Sequence, residues 1–172
     1  MREIVEPELA ALRQEVSFPV EGGSLRVEVY EPKAAHTSLL LLHGFIESAE
    51  KFREMIWYFI RAGYAVYAPD QRGHGGSVRS VPENSVTHID RFAQYVDDAE
   101  KLTREVILKK NSDRRLVLYA HSMGGAVAAF LLARVDCFAC AAHSSPMIAP
   151  SSAPLPMWMG KMMAGTILGG KD

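Results

Sequence analysis

The sequence predicts an α/β fold, with a mostly parallel β-sheet that is covered by helices on both faces. Two observations lead to this class. Short apolar runs at residues 38–43 and 64–69 are bounded by turn residues, as is typical of strands buried on both faces. Between such runs lie longer segments whose apolar residues recur with helical spacing, and alternating strands and helices build a parallel sheet.

A β-hairpin and a third buried strand complete the predicted sheet. Leu25, Val27 and Val29 alternate with Arg26, Glu28 and Tyr30, and the pair Gly22–Gly23 supplies the turn before them. The run "RLVLYA" at residues 115–120 has the composition of another buried strand.

Three helices are predicted from their apolar stripes. The first stripe stops at Gly63, a suitable helix-ending residue, and comprises Phe52, Met55, Ile56, Phe59 and Ile60. The second follows Thr87, a candidate N-cap, and comprises Ile89, Phe92, Val96, Ala99, Leu102 and Val106. The third helix is expected to begin at Met123 and to continue through "GGAVAAFLLARV".

Composition excludes several classes of function. The 172 residues are 48% hydrophobic and 23% charged, which is typical of one globular domain. The net charge of −1 and the absence of like-charge blocks give no footprint for nucleic acid. Because there is no long apolar stretch and no apolar core near the N-terminus, we expect a cytoplasmic location, with peripheral membrane contact left open.

The two cysteines, Cys137 and Cys140, formally match the C-x-x-C pattern of redox and metal sites. They lie in a segment that is predicted to be a buried strand, where residues three apart point to opposite faces. A zinc site would also need two further ligands. We therefore expect buried, small apolar residues here, and neither a metal nor a cofactor.

Ser122 lies where the strand "RLVLYA" meets the third helix. In a G-x-S-x-G elbow a catalytic serine occupies a tight strand-to-helix turn that needs small residues two positions before and after it. Ala120 and Gly124 occupy these positions, so the sequence differs from the pattern only by the methyl group of Ala120. At a helix N-terminus the Met123 N–H could stabilise an oxyanion, whereas the alternative interpretation of Ser122 is a simple helix N-cap.

A second oxyanion donor is expected from the segment "LLLLHGFIES". In folds with this elbow, the loop after the corresponding strand contributes a backbone N–H to the oxyanion hole. The residue that follows His43 and Gly44 is Phe45. The sequence therefore predicts that two distant segments meet at one site.

Four segments together resemble the α/β-hydrolase superfamily, and most closely its lysophospholipase and monoacylglycerol lipase branch. They are "LLLLHGFIESAEKF", "GYAVYAPDQRGHGGS", "YAHSMGGAVAAF" and "SSPMIAP", and the resemblance spans about residues 39–150. It implies that Ser122 is a nucleophile, that Phe45 and Met123 supply the oxyanion amides, and that the substrate is a lipid or small acyl ester.

The resemblance also implies supporting roles within these motifs. His43 and Gly44 would shape the oxyanion loop, and His121 and Gly124 flank the serine elbow. Asp70, Arg72 and His74 are expected to hold a loop together through hydrogen bonds rather than to act in catalysis.

A serine needs a base, and the family order is serine, then an acid, then histidine. Downstream of Ser122 the chain has only Asp136, Asp172 and His143 for these roles, and none matches the family's positions. We therefore expect the N-terminal portion of the fold, with core residues 1–150 and the start of a cap at 151–172.

Two hypotheses follow from the missing pair. The first is a serine ester hydrolase, in which His143 is the one candidate for a substitute base. The second is a catalytically incomplete module that pairs with a complementing chain, or with a second copy, through an open sheet edge.

Overall fold

The computed structural model describes residues 2–82 and 87–148, and for residues 2 and 3 it describes the backbone alone. In these ranges six strands form one sheet: β1 (Arg13–Val20), β2 (Gly23–Tyr30), β3 (Thr37–Leu42), β4 (Tyr64–Pro69), β5 (Arg115–His121) and β6 (Phe138–Ser144). The helices are α1 (Arg2–Leu12), α2 (Arg53–Arg61), α3 (Ala93–Leu102), α4 (Leu108–Lys110) and α5 (Met123–Leu132). A 3₁₀ turn, Ala49–Phe52, precedes α2, and a π-helical turn, Thr103–Ile107, joins α3 to α4.

The strand order in the sheet is β1-β2-β4-β3-β5-β6. Strands β4, β3, β5 and β6 run parallel to one another, whereas β2 is antiparallel to both β1 and β4. This arrangement confirms the predicted mostly parallel sheet. Because the carboxyl ends of the parallel strands share one edge, the loops after β3, β4 and β5 lie side by side.

Alternate residues of β3 build two separate cores. Leu40 and Leu42 point into the core beneath α3 and α5, and Leu39 and Leu41 point into the core beneath α1 and α2. All four are at most 2% exposed, which explains why β3 reads as a continuous apolar run rather than an alternating one. Packing on both faces therefore anchors β3, and with it the start of the loop that follows this strand.

The predicted hairpin and the first and third helices are confirmed. Glu21 and Gly22 form the turn between β1 and β2, with Gly22 at φ 80°. The first predicted helix is α2, which ends at Arg61, before Gly63 at φ 87°, and the third is α5. The second predicted helix begins later than expected, at Ala93, so Thr87 as its N-cap is wrong. The Thr87 hydroxyl instead donates to the Gly73 carbonyl.

Helix α1 was not anticipated from the sequence. Pro7 lies inside it, and proline normally argues against a helix interior. Val5 and Leu9 are nevertheless buried against α2 and the neighbouring sheet face. Tertiary packing thus stabilises a helix that its local sequence disfavours.

Strand β6 differs from the prediction in its burial. Most of its residues are exposed, Cys140 is exposed and Cys137 is half-buried, so the expectation of two buried cysteines is wrong. The physical reason is position: β6 pairs with β5 on one side and is the last strand of the sheet within the described residues. The predicted cap at 151–172 lies outside those residues, among which no helix is long and apolar enough to cross a membrane.

Candidate active site

Ser122 occupies a sharp turn between β5 and α5. Its backbone has φ 50° and ψ −117°, a conformation that non-glycine residues rarely adopt. Ser122 is the N-cap residue of α5 by position, but its hydroxyl makes no cap hydrogen bond. Hydrogen bonds hold the strained turn: the Ser122 N–H donates to Ser144 O at 3.0 Å, and Ser122 O accepts from Met147 N at 2.9 Å.

Small residues around Ser122 allow helix and sheet to approach each other. A Cβ atom on Gly124 would lie 2.4 Å from Leu42 O and 2.6 Å from His43 O. Ala120 is fully buried in the core beneath α5, so the methyl group that departs from the glycine pattern is accommodated there. Met123 is the first residue of α5, and its N–H belongs to the amides that have no acceptor within a helix.

The loop after β3 contacts the serine turn directly. A Cβ atom on Gly44 would lie only 3.0 Å from Ser122 Cβ, so the Gly44 backbone abuts the serine. The two segments that the sequence predicted to meet are therefore adjacent.

A hydrogen bond from His43 restrains the peptide between Gly44 and Phe45. The Gly44 carbonyl is bonded to His43 Nδ1 at 2.7 Å. In a trans peptide the C=O and N–H point in opposite directions. The Phe45 N–H therefore points away from the buried imidazole, and Phe45 itself is 52% exposed.

Backbone strain marks this loop as well. Ile46 has φ 58°, which is a genuine outlier for a β-branched residue, and its side chain is exposed. Strain of this kind persists only where the surroundings enforce it, and it concentrates at functional sites. No pattern in the sequence indicated a left-handed conformation at an isoleucine.

His43 is a fully buried, neutral imidazole. Its Nε2 accepts the Gln71 N–H at 2.9 Å, so Nδ1 carries the proton that is donated to Gly44 O. Burial lowers the pKa of His43 to about 4. The arrangement supports the predicted loop-shaping role, since both ring nitrogens are engaged by backbone groups.

The buried His43 is expected to make the fold less stable in acid. Its folded pKa lies below the ordinary 6.5, so the unfolded chain binds the proton more readily between pH 6.5 and 4. Over that interval this residue should remove up to about 3 kcal/mol of unfolding free energy. Urea denaturation at several pH values should show a shallower pH dependence for His43→Gln than for the control His88→Gln, whose imidazole is half exposed. Equal pH dependence in the two variants would contradict the assignment.

The residues after β4 form the predicted hydrogen-bonded loop. Asp70 is buried and accepts N–H groups from Ala49 at 2.8 Å and Gly76 at 2.9 Å. Arg72 makes a two-point ion pair with Asp98 on α3, at 2.8 and 2.9 Å. These contacts confirm that Asp70 and Arg72 hold the loop.

His74 packs its ring against the loop after β3. Its imidazole is buried, with Nδ1 bonded to Arg72 O at 3.0 Å. It makes edge contacts with His43 and Phe45, with ring centroids 5.2 and 5.7 Å away. Burial lowers the pKa of His74, so it is a neutral packing group like His43.

The two other histidines near the elbow lie on opposite faces of the sheet. His121 Nδ1 is 3.4 Å from Ser144 Oγ, and its ring packs near Phe52 on the α2 side. His143 is exposed on the other face, where a Cβ atom on Gly125 would lie 3.6 Å from its Nδ1. Within residues 2–82 and 87–148, no hydrogen bond joins Ser122 Oγ to either histidine.

A cavity of about 460 Å³ lies on the α2 side of the sheet, and its lining reaches His121 beside the elbow but not Ser122 itself. One end is polar, and the apolar wall comes from α2 and β5. Its lining includes Glu47, Lys51, His121, Ser144, Phe52, Met55, Tyr58 and Tyr119. The volume falls in the range of small-molecule sites.

Glu47 is the site residue that the sequence did not single out. Its carboxylate accepts the Gly44 N–H at 2.7 Å and also lines the cavity. The motif "HGFIES" contains it, but an acid in a loop ordinarily predicts solvent exposure, and Glu47 is only 8% exposed.

Comparison with known proteins gives a consistent picture. The family model described as "Serine aminopeptidase, S33" matches residues 33–168. A probable lysophospholipase L2 of Haemophilus influenzae is 36% identical over 107 residues, which are 62% of this chain and 33% of that protein. A monoacylglycerol lipase of Mycolicibacterium smegmatis is 31% identical over 121 residues, 69% of this chain and 41% of that protein. The chain thus spans well under half the length of these relatives.

Solved structures show the same fold. A soluble variant of monoglyceride lipase from Saccharomyces cerevisiae, in complex with a substrate analogue, superimposes with a TM-score of 0.73 at 18% identity. The superposition covers 90% of this chain and 52% of that one. An esterase from Pyrococcus furiosus has a TM-score of 0.70 at 21% identity over 94% of this chain and 62% of its own.

Proposed function

The chain belongs to the serine aminopeptidase S33 family of α/β hydrolases, and from this premise we propose that it carries the nucleophile half of a serine ester hydrolase of the lysophospholipase or monoacylglycerol lipase type. The single observation that carries the proposal is the strained Ser122 turn, packed against the Gly44 backbone.

In the proposed reaction, Ser122 Oγ attacks the carbonyl carbon of an acyl ester. The C–O bond to the alcohol breaks, the acyl group passes to the serine, and the hydroxyl proton leaves with the alcohol. The negative charge on the carbonyl oxygen would be stabilised by the N–H groups of Phe45 and Met123, which come from two separate loops. Water then releases the acid from the serine.

The proposed substrate is a lipid or small acyl ester. The names of the relatives above support it, as does the cavity beside the elbow, whose apolar wall could accept an acyl chain. No cofactor is needed for this chemistry, because side chains and backbone amides suffice.

We expect Ser122→Ala to abolish hydrolysis of p-nitrophenyl butyrate by the purified protein, because no other hydroxyl occupies the elbow. Ser17→Ala is the control, since Ser17 is an exposed serine on β1, at the opposite edge of the sheet from β6. The control should retain activity within about threefold, as expected for a side chain that contributes little to the transition state. Loss in the control together with retention in Ser122→Ala would contradict the proposal.

The alternative function is a catalytically incomplete module that requires a complementing chain. It is favoured by the lack of any hydrogen bond between Ser122 and a histidine in the described chain, and by the exposure of β6. If the purified protein and Ser122→Ala hydrolyse the ester equally slowly, this alternative replaces the first.

A further inference from the structure

We propose that Glu47 is a positioning residue, whose carboxylate fixes the Gly44 peptide so that the Phe45 N–H faces Ser122. The inference rests on the proposed function, because the direction of this N–H matters for catalysis only if Ser122 is the nucleophile.

The first support is the contact itself. Gly44 N–H donates to Glu47 Oε2 at 2.7 Å, and the carboxylate is 8% exposed. Burial alone would raise the pKa of Glu47, but hydrogen bonds from Lys51 and the Gly44 amide outweigh it, so that the pKa lies below its usual value. An ionised acceptor makes this hydrogen bond one of the stronger kind.

The second support is the position of the bond in the loop. Glu47 holds the N–H of Gly44, while His43 holds its C=O. A glycine rotates freely unless it is restrained from outside, and a Cβ atom here would displace the Glu47 carboxylate, whose Oε2 would lie 2.7 Å away. The two hydrogen bonds therefore restrain both torsions of Gly44, and with them the direction of the next amide.

The third support is that the carboxylate is itself anchored. Lys51 donates a hydrogen bond to Glu47 Oε1, and His121 Nε2 lies 3.9 Å from the same oxygen. His121 immediately precedes Ser122, so Glu47 lies between the oxyanion loop and the elbow. The carboxylate thus lies close both to Gly44 and to the residue that precedes Ser122.

The test uses n-butylboronic acid, which adds to a serine hydroxyl. Ser122 Oγ forms a bond to boron, its proton goes to solvent, and the resulting tetrahedral boronate carries the negative charge that an oxyanion hole binds. The dissociation constant is measured by ¹¹B NMR for the wild type, Ser122→Ala, Glu47→Ala, Glu47→Gln and Glu50→Gln. Glu50 is the matched control, an exposed acid three residues away that pairs with Arg53.

We expect Glu47→Ala to weaken boronate binding by about tenfold, the loss of one hydrogen bond to a charged acceptor. Glu47→Gln keeps one acceptor oxygen and should lose about threefold, and Glu50→Gln should stay at the wild-type value. In ¹H–¹⁵N spectra the Gly44 and Phe45 amide resonances should both move in Glu47→Ala and stay in place in Glu50→Gln. A stabilising role alone would lower the urea midpoint without weakening binding per folded molecule.

The outcomes separate the two proposals. If the wild type and Ser122→Ala bind boronate equally poorly, the proposed function fails, and the positioning role is decided by the amide resonances alone. If the Phe45 resonance stays unchanged in Glu47→Ala, or if that folded variant binds boronate as tightly as the wild type, the positioning role is overturned.

Discussion

Replacing Gly124 with alanine is expected to destabilise the protein by about 2 kcal/mol or more, although alanine in a helix interior normally adds about 1 kcal/mol of stability. The added Cβ would lie 2.4 Å from Leu42 O and 2.6 Å from His43 O. Both partners are backbone atoms: Leu42 is paired with β5, and His43 O, just after β3, accepts a hydrogen bond from Gln71, so neither can move aside as a side chain could. Urea denaturation measures the change in unfolding free energy.

The control for this variant is Ala129→Gly, on the exposed side of the same helix. It should cost about 1 kcal/mol through helix propensity alone. Because Gly124→Ala changes propensity in the opposite direction, a loss of stability can come only from the steric contact. A Gly124→Ala variant at least as stable as the wild type would show that α5 can shift from the sheet.

The same contact explains why the elbow could be predicted from the sequence. The close approach of helix and strand requires a glycine two residues after the serine. The presence of that glycine in the sequence therefore indicates how closely α5 packs against the sheet. Ser122, Gly124 and the Gly44 loop lie together as the residues suggested. The buried strands β3 and β4 were equally predictable, because short apolar runs bounded by turn residues are typical of strands that are buried on both faces.

Other features depended on contacts that no local pattern encodes. Helix α1 contains Pro7 and is stabilised by burial of Val5 and Leu9, and α3 begins only at Ala93, while the Thr87 hydroxyl bonds to the Gly73 carbonyl. Cys140 is exposed because β6 lies at the sheet edge among the described residues, although its sequence is that of a buried strand. Glu47 could not be placed either, since its burial depends on Lys51 and the Gly44 amide.

Glu28 is the second residue whose replacement should have a large effect. The alternation in β2 marks it as polar, yet its side chain is fully buried between β2 and α2. It accepts hydrogen bonds from Arg26 at 2.7 Å, Arg53 at 2.8 Å and the Tyr30 hydroxyl at 2.5 Å. Arg26 also reaches Asp70 at 3.1 Å, so the cluster connects α2 to the loop after β4.

We expect Glu28→Gln to lower the unfolding free energy at pH 7 by about 3 kcal/mol, because two partly buried guanidinium groups lose their shared counter-charge. Glu15→Gln is the matched control: Glu15 pairs with the same Arg26 at 2.8 Å, but its side chain is 59% exposed. An exposed pair of this kind contributes less than about 1 kcal/mol. Equal losses in the two variants would contradict the role of burial.

The acid dependence of this difference provides an independent check. Burial by itself would raise the pKa of Glu28, but the hydrogen bonds from Arg53, Tyr30 and Arg26 outweigh it, so the folded pKa lies below the usual 4.5. A carboxylate with a lowered folded pKa contributes its full stability above pH 4.5 and loses it as the pH falls through the folded value. The stability gap between wild type and Glu28→Gln should therefore be constant from pH 7 to about 5 and then narrow in stronger acid. A gap that widens below pH 4.5 would mean that Glu28 is protonated more readily in the folded protein than in the unfolded chain.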